Sequence, residues 1–246
     1  MLIQYSTNHS RILALTIIKN MKSIFHHYPK LIYMAKHSEK YSKEECYNYL
    51  LKLINIIFRN CDVEIEVFGK EKIPNEQGLF VCANHQEKFD ALALWKSFPG
   101  TLGVIVDGFA SKRHFIREIF RIIPAIAMHK NNMKSMIKSI ENLTDELKNK
   151  INYMIFPEGR YEIDCKQLLP FLGGCFKSPL RAQSIIQPVA IINSNHLFDK
   201  GLPKPYKIQV HYLDPIYPKD FKNLKSIELA NLVQQKIQET VDKFQK

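Results

Sequence analysis

Long apolar runs are missing from this chain of 246 residues, and no stretch approaches the roughly eighteen consecutive apolar residues of a membrane-spanning helix. The N-terminus also lacks a short apolar core followed by a small-residue cleavage site, so we expect no secretory signal. No internal repeat and no low-complexity tract occurs. Hydrophobic residues nevertheless make up 46% of the chain, which is typical of a folded protein and excludes a disordered one.

Cysteine is scarce: its five positions are scattered and form no paired spacing of a zinc site. This usage fits a reducing compartment. Acidic residues are also few, because 24 Asp and Glu stand against 35 Lys and Arg and give a net charge of +11 and a pI near 9.3. Such an excess of positive charge favours an anionic partner, namely a phospholipid surface, a nucleic acid or a phosphorylated substrate.

Short apolar or alternating runs separated by helical patterns fill the chain from residue 63 onward. The runs predict strands over residues 63–68, 79–83, 102–106, 125–128, 153–156, 185–192 and 208–212. The helical patterns predict helices over residues 91–99, 114–123, 132–148, 173–183 and 226–244. Strands alternating with helices predict an α/β fold, with a mixed, mainly parallel sheet flanked by helices.

An amphipathic helical pair precedes this α/β part. The first helix is predicted over residues 11–27, with apolar positions at helical spacing and basic residues between them. The second begins at a capping box of Ser42 and Glu45 and carries one apolar stripe as far as Phe58. Stripes with basic flanks suit the surface of an anionic bilayer. They also suit packing against the rest of the protein.

A histidine and an aspartate lie at the end of the predicted strand 79–83. His85 leaves the strand, and Asp90 opens the next helix. On a continuous helix, residues five apart point about 140° away from each other, so these two side chains meet only if the chain between them turns. The carboxylate then holds one imidazole nitrogen through its proton and leaves the other to act as a base. A helix cap beside a satisfied histidine would show the same spacing.

The segment after the predicted strand 153–156 follows the same pattern. Pro157 ends the strand, and Glu158, Gly159 and Arg160 follow in a loop. Glycine lets the backbone approach a ligand closely, and arginine offers a planar fork suited to phosphate oxygens. Taken alone, these residues fit an ordinary surface turn equally well.

In this order and at this separation, the two stretches resemble motifs of the glycerophospholipid acyltransferase family, and among its members the 1-acylglycerol-3-phosphate acyltransferases. The resemblance covers about residues 63–192. The His-x4-Asp stretch matches the first motif, residues 156–159 match the third, and residues 187–190 stand near the fourth. Residues 126–130 stand where the second motif usually ends in arginine, which Lys130 replaces. The family's usual threonine after Gly159 is missing, since Arg160 follows at once.

The resemblance implies transfer of an acyl chain from acyl-CoA or acyl-carrier protein to the free hydroxyl of 1-acyl-glycerol-3-phosphate, forming phosphatidic acid. It implies His85 as the general base and Asp90 as the group that fixes its tautomer. It also implies a set of substrate-binding residues, which are Asn84, Lys130, Glu158, Gly159 and Arg160. No metal is implied, and no cofactor beyond the acyl donor, which is a substrate.

The expected partners are therefore an anionic membrane surface, a lysophospholipid acceptor and acyl-CoA or acyl-carrier protein, with no nucleic acid. We expect residues 1–60 to form a membrane-docking segment and residues 61–246 the catalytic domain, at the cytoplasmic face of the cell membrane as a peripheral protein. Two alternatives stay open. One is an acyltransferase of the same fold with another lysolipid acceptor. The other is a non-catalytic basic protein that binds lipid or nucleic acid, although no aromatic and basic RNA-binding motif occurs.

Overall fold

The structure of the chain, a computed structural model, describes residues 2–108, 114–129, 132–160, 167–199 and 201–244. Its α-helices are α1 (Leu2–Lys36), α2 (Lys43–Cys61), α3 (Phe89–Ser97), α4 (His114–Ile122), α5 (Met133–Lys148), α6 (Lys177–Ala182) and α7 (Ser226–Phe244). Its strands are β1 (Val63–Phe68), β2 (Phe80–Ala83), β3 (Gly103–Asp107), β4 (Ala125–Met128), β5 (Tyr153–Ile155), β6 (Ile186–Ile192) and β7 (Tyr206–Tyr212). The predicted alternation of strands and helices is confirmed.

All these strands join one sheet, in the order β1-β7-β6-β2-β5-β3-β4. The β6–β7 pair is antiparallel and the other neighbouring pairs are parallel, so the predicted mixed, mainly parallel sheet is confirmed. Strand β2 lies between β6 and β5. Because these three strands are parallel, their carboxyl ends meet at one edge of the sheet, which is where α/β proteins place their sites. We call it the site edge.

Each face of the sheet has its own hydrophobic core. On one face, Val81 and Ala83 of β2 pack among buried residues of α1, α2 and α3. On the other face, Phe80 and Cys82 pack among buried residues of α5 and α7. This alternation follows from the two-residue period of a strand and gives three layers, with helices on both sides of the sheet. Strand β2 is thus held from both faces, which fixes the point where His85 leaves it.

Helix α1 is longer than the sequence predicts. It continues to Lys36, whereas the prediction ends at residue 27, and Pro29 lies inside it. Proline in a helix interior costs about 3 kcal/mol. Beyond it, Leu31 and Met34 are almost fully buried in the core, and their burial stabilises the continued helix by a comparable amount.

Helix α2 begins as predicted. The hydroxyl of Ser42 accepts the backbone N–H of Glu45 at 3.1 Å, and the Glu45 carboxylate accepts the N–H of Ser42 at 2.7 Å, so the capping box is confirmed. Leu50 and Ile54 of α2 are buried in the same core as β2. Within the described part of the chain, no helix combines the length and the apolar character needed to cross a membrane.

Candidate active site

His85 lies just after β2 at the site edge, and the side chain of Asn84 fixes the backbone there. The Asn84 side chain donates to the backbone oxygen of Ile191 at 2.9 Å and accepts the N–H of Ile191 at 2.7 Å. This amide extends the pairing of β2 with β6 by one residue beyond the strand. Asn84 is predicted above to bind substrate, but both polar ends of its buried amide are engaged by the fold. It anchors the backbone from which His85 projects.

A tight turn after His85 brings Asp90 back to it. His85 Nδ1 lies 2.8 Å from Asp90 Oδ2, and the same oxygen accepts the backbone N–H groups of Gln86 at 2.6 Å and of Glu87 at 2.8 Å. Asp90 is fully buried in the first turn of α3, where the helix dipole favours a negative charge. Its other oxygen, Oδ1, is buried and has no hydrogen-bond partner among the described residues. The negative charge is therefore held against the imidazole.

The ring of Phe156 stacks on the imidazole of His85. The centroids of the His85 and Phe156 rings lie 4.1 Å apart, and the two planes meet at 20°. Asp90 fixes the edge of the imidazole, while Phe156 fixes its plane. The His85 side chain keeps 17% of its surface exposed, so a substrate can reach it. The sequence shows that Phe156 ends a strand, but it gives no sign of this stacking.

The segment that follows Phe156 forms a β-turn. Gly159 donates its N–H to the oxygen of Phe156 at 3.1 Å, and Pro157 occupies the second position of the turn, where proline is favoured. Gly159 has a φ of +69°, and an added Cβ would lie 3.0 Å from Leu172 Cδ1. Glycine is required there because other residues are strained at this φ. The turn places the Glu158 carboxylate beside the backbone N–H of His85.

The Glu158 carboxylate bridges two distant parts of the backbone. One oxygen accepts the N–H of His85 at 2.7 Å, and the other accepts the N–H of Leu169 at 2.9 Å. Glu158 is 8% exposed. Burial raises the pKa of Glu158 to about 7, although both of these hydrogen bonds favour the ionised form.

The predicted site residues thus divide into two sets. His85, Asp90 and Glu158 are joined by direct hydrogen bonds at the site edge. Arg160 follows the turn and is exposed to solvent. Lys130, another of the predicted substrate-binding residues, lies outside the described residues.

Comparison with known proteins agrees with this geometry. The sequence matches the family described as Acyltransferase over residues 64–192, which is more than half of the chain. The chain belongs to the acyltransferase family. The matched span of this acyltransferase begins in β1 and ends with β6, so it contains both the His85–Asp90 turn and the Glu158 turn. The family resemblance predicted from the sequence is confirmed.

Two further similarities cover most of the acyltransferase chain. A curated relative, a probable 1-acyl-sn-glycerol-3-phosphate acyltransferase of Mycoplasma pneumoniae, is 26% identical over 219 residues, which cover 84% of this chain and 82% of the relative. The crystal structure of the 1-acyl-sn-glycerophosphate acyltransferase PlsC from Thermotoga maritima superposes with a TM-score of 0.75 at 21% identity, over 96% of this chain and 97% of that chain. At this identity, the superposition establishes the fold.

Proposed function

We propose that this acyltransferase transfers an acyl chain from acyl-CoA or acyl-carrier protein to the free hydroxyl of 1-acyl-glycerol-3-phosphate and so forms phosphatidic acid. The observation that carries the proposal is the 2.8 Å contact between His85 Nδ1 and Asp90 Oδ2 at the site edge. The substrate named for the Mycoplasma pneumoniae relative supports the choice of acceptor.

In the proposed reaction, His85 removes the proton of the acceptor hydroxyl as that oxygen attacks the carbonyl carbon of the thioester. Asp90 accepts a hydrogen bond from the Nδ1–H group, which leaves the lone pair of the neutral ring on Nε2, and its charge stabilises the imidazolium that forms. The tetrahedral intermediate then expels the thiolate, which takes the proton from His85. The products are phosphatidic acid and the free thiol of the donor.

The experiment that tests this reaction is a panel of lysolipid acceptors, each assayed with acyl-CoA and with acyl-carrier protein. We expect the highest kcat/KM with 1-acyl-glycerol-3-phosphate. A higher kcat/KM with a lysolipid that lacks the phosphomonoester would assign another acceptor to the same catalytic pair. No product with any acceptor and either donor would contradict the enzyme proposal and favour the basic binding protein.

The phosphomonoester of the acceptor would be bound by Arg160, because a guanidinium can donate two parallel hydrogen bonds to phosphate oxygens. Replacing Arg160 with alanine is therefore expected to raise the acceptor KM by about tenfold and to leave kcat nearly unchanged. Steady-state kinetics with varied 1-acyl-glycerol-3-phosphate measures both constants. Arg181, an exposed arginine on α6, provides the matched control Arg181→Ala. An unchanged acceptor KM in Arg160→Ala would remove Arg160 from the phosphate site.

We also propose that α1 docks the enzyme on an anionic phospholipid surface. Three side chains at helical spacing point outward from α1: Ile18 is 62% exposed, Met21 is 61% exposed and Phe25 is 86% exposed. Lys22 lies exposed among them. Large apolar side chains interleaved with lysine suit the interface of an anionic bilayer. The helix thus has two apolar faces, one packed on the core and one directed to solvent.

Contacts between α1 and α2 orient the outward face. The Asn60 side chain donates to Asn20 Oδ1 at 3.0 Å and to the hydroxyl of Ser23 at 3.1 Å. Asn20 is buried between the two helices and also donates to the oxygen of Thr16 at 2.9 Å. A partly buried amide network of this kind fixes the rotation of one helix on the other. It supports a docking face with a fixed orientation relative to the site edge.

Replacing Phe25 with glutamate is expected to weaken binding to vesicles of phosphatidylglycerol and phosphatidylcholine by at least about tenfold, because burial of one aromatic side chain contributes roughly 1.5–3 kcal/mol. Sedimentation with these vesicles measures the change. Leu202, which is 46% exposed and lies in the loop before β7, provides the charge-matched control Leu202→Glu. Equal binding by the wild-type protein and Phe25→Glu would place the lipid-binding surface elsewhere.

A further inference from the structure

Residues 168–172, which we call the strap, run without regular secondary structure between the site edge and α7. Each of the strap's backbone N–H groups has a partner, and Pro170 has none to satisfy. Leu168 donates to Gln238 Oε1 at 2.7 Å, Leu169 to Glu158 Oε2 at 2.9 Å, Phe171 to Gln234 Oε1 at 2.9 Å and Leu172 to the oxygen of Pro157 at 2.9 Å. A loop with all of its donors satisfied in this way is fixed in place.

The strap is held from two sides. Gln234 and Gln238 are one helical turn apart on α7, and their side-chain oxygens hold it from the helix. From the opposite side it is held by the turn that carries Glu158, through the side chain of that residue and the backbone of Pro157. The carboxylate of Glu158 therefore joins α7, by way of the strap, to the backbone of His85.

The same geometry argues against direct contact between Glu158 and the acceptor. Both of its oxygens are engaged, one by His85 and one by Leu169, and the residue is 8% exposed. The resemblance to the family places Glu158 among the substrate-binding residues, whereas these contacts indicate that it holds the backbone of His85.

We propose that Glu158 is a positioning residue for His85, and that Gln234 and Gln238 of α7 act on His85 through the strap and Glu158. This proposal rests on the proposed function in taking His85 as the catalytic base. The strap excludes water from the Glu158 carboxylate and so keeps it on the His85 backbone. When the strap is released, the carboxylate becomes hydrated and its hold on His85 weakens.

The first test needs no substrate. Backbone amide exchange, measured residue by residue by NMR, should become roughly tenfold faster at Leu168, Phe171 and His85 in the double variant Gln234→Ala, Gln238→Ala. The control is Gln235→Ala, because Gln235 lies on the same helix but donates to Glu239 on its exposed face. Unchanged exchange at His85, with faster exchange in the strap, would overturn the link from α7 to His85.

The second test is kinetic and uses Glu158→Gln. The amide keeps the size of the side chain but retains one acceptor oxygen, so it cannot accept from both His85 and Leu169. We expect kcat to fall by about 100-fold, since small displacements of a catalytic group have effects of this size, and the acceptor KM to stay within about twofold. A raised acceptor KM with kcat retained would show Glu158 to be an acceptor ligand and would overturn the proposal.

The two tests separate the possible failures. Wild-type protein that acylates none of the lysolipid acceptors would contradict the proposed function, and exchange at His85 would still decide whether α7 acts on its backbone. Unchanged exchange across β6 in every variant would show that losses of kcat do not come from unfolding. If amide exchange across β6 changes in Glu158→Gln, the double variant Gln234→Ala, Gln238→Ala tests the proposal instead, because its substitutions lie on α7, outside the site edge.

Discussion

Acyl transfer by the His85→Ala variant is expected to be about 10³-fold slower in kcat than by the wild-type protein, because a positioned general base contributes factors of this order. The variant should remain folded. His85 lies at the end of β2. The side-chain amide of Asn84 bonds the backbone of Ile191 and holds that end in place, and the substitution does not change these bonds. The measurements are kcat for 1-acyl-glycerol-3-phosphate and the temperature of thermal unfolding.

The chain offers a matched control for this variant. His196 Nδ1 lies 3.1 Å from Asp199 Oδ2, so the same two kinds of group meet at a second place. That pair is partly exposed and lies after β6, and we expect His196→Ala to retain kcat within about twofold. A near wild-type rate in His85→Ala would remove His85 from the chemistry.

The Asp90→Asn variant is expected to lose about 10²-fold to 10³-fold in kcat. The N–H groups of Gln86 and Glu87 favour the amide oxygen at the position of Oδ2, where it still orients His85 but carries no charge. The imidazolium that forms during the reaction therefore loses its counter-charge. Single-turnover measurements with saturating acceptor isolate this effect from product release.

The same substitution is expected to lower the free energy of unfolding. In the variant, the N–H groups of Gln86 and Glu87 bond a neutral amide oxygen in place of a carboxylate. Hydrogen bonds to a charged group contribute roughly 1.5–3 kcal/mol, against roughly 0.5–1.5 kcal/mol for neutral ones. Urea unfolding measures the change in free energy, and Asp199→Asn, at a partly exposed carboxylate beside a histidine, is the control. A fully active Asp90→Asn variant of unchanged stability would contradict both roles.

The sequence predicts the layered α/β fold well because its patterns are local. The two-residue alternation that separates Phe80 from Val81 and the capping box at Ser42 both act within a few residues. The end of α1 is predicted wrongly for the opposite reason. Pro29 signals a break, and the packing of Leu31 on a core formed by distant elements overrides that signal.

The site shows the same division between local and distant contacts. The turn that joins His85 to Asp90 can be inferred from the end of a strand and five residues of sequence. The contacts of Asn84 with Ile191, 107 residues away, and of Glu158 with His85, 73 residues away, cannot be read from one sequence. Both residues stand in recognisable motifs and are predicted to bind substrate, and in the structure their side chains also bond the backbone of the site.

A double-mutant cycle on His85 and Asp90 tests most directly whether the two side chains act as one catalytic unit in acyl transfer. The kcat values of the wild-type protein, His85→Ala, Asp90→Asn and the double variant are measured with the same acceptor and donor. If Asp90 acts only through His85, the double variant should be as slow as His85→Ala within about threefold. Losses that multiply, so that the double variant is slower than His85→Ala by the full factor of Asp90→Asn, would contradict the account.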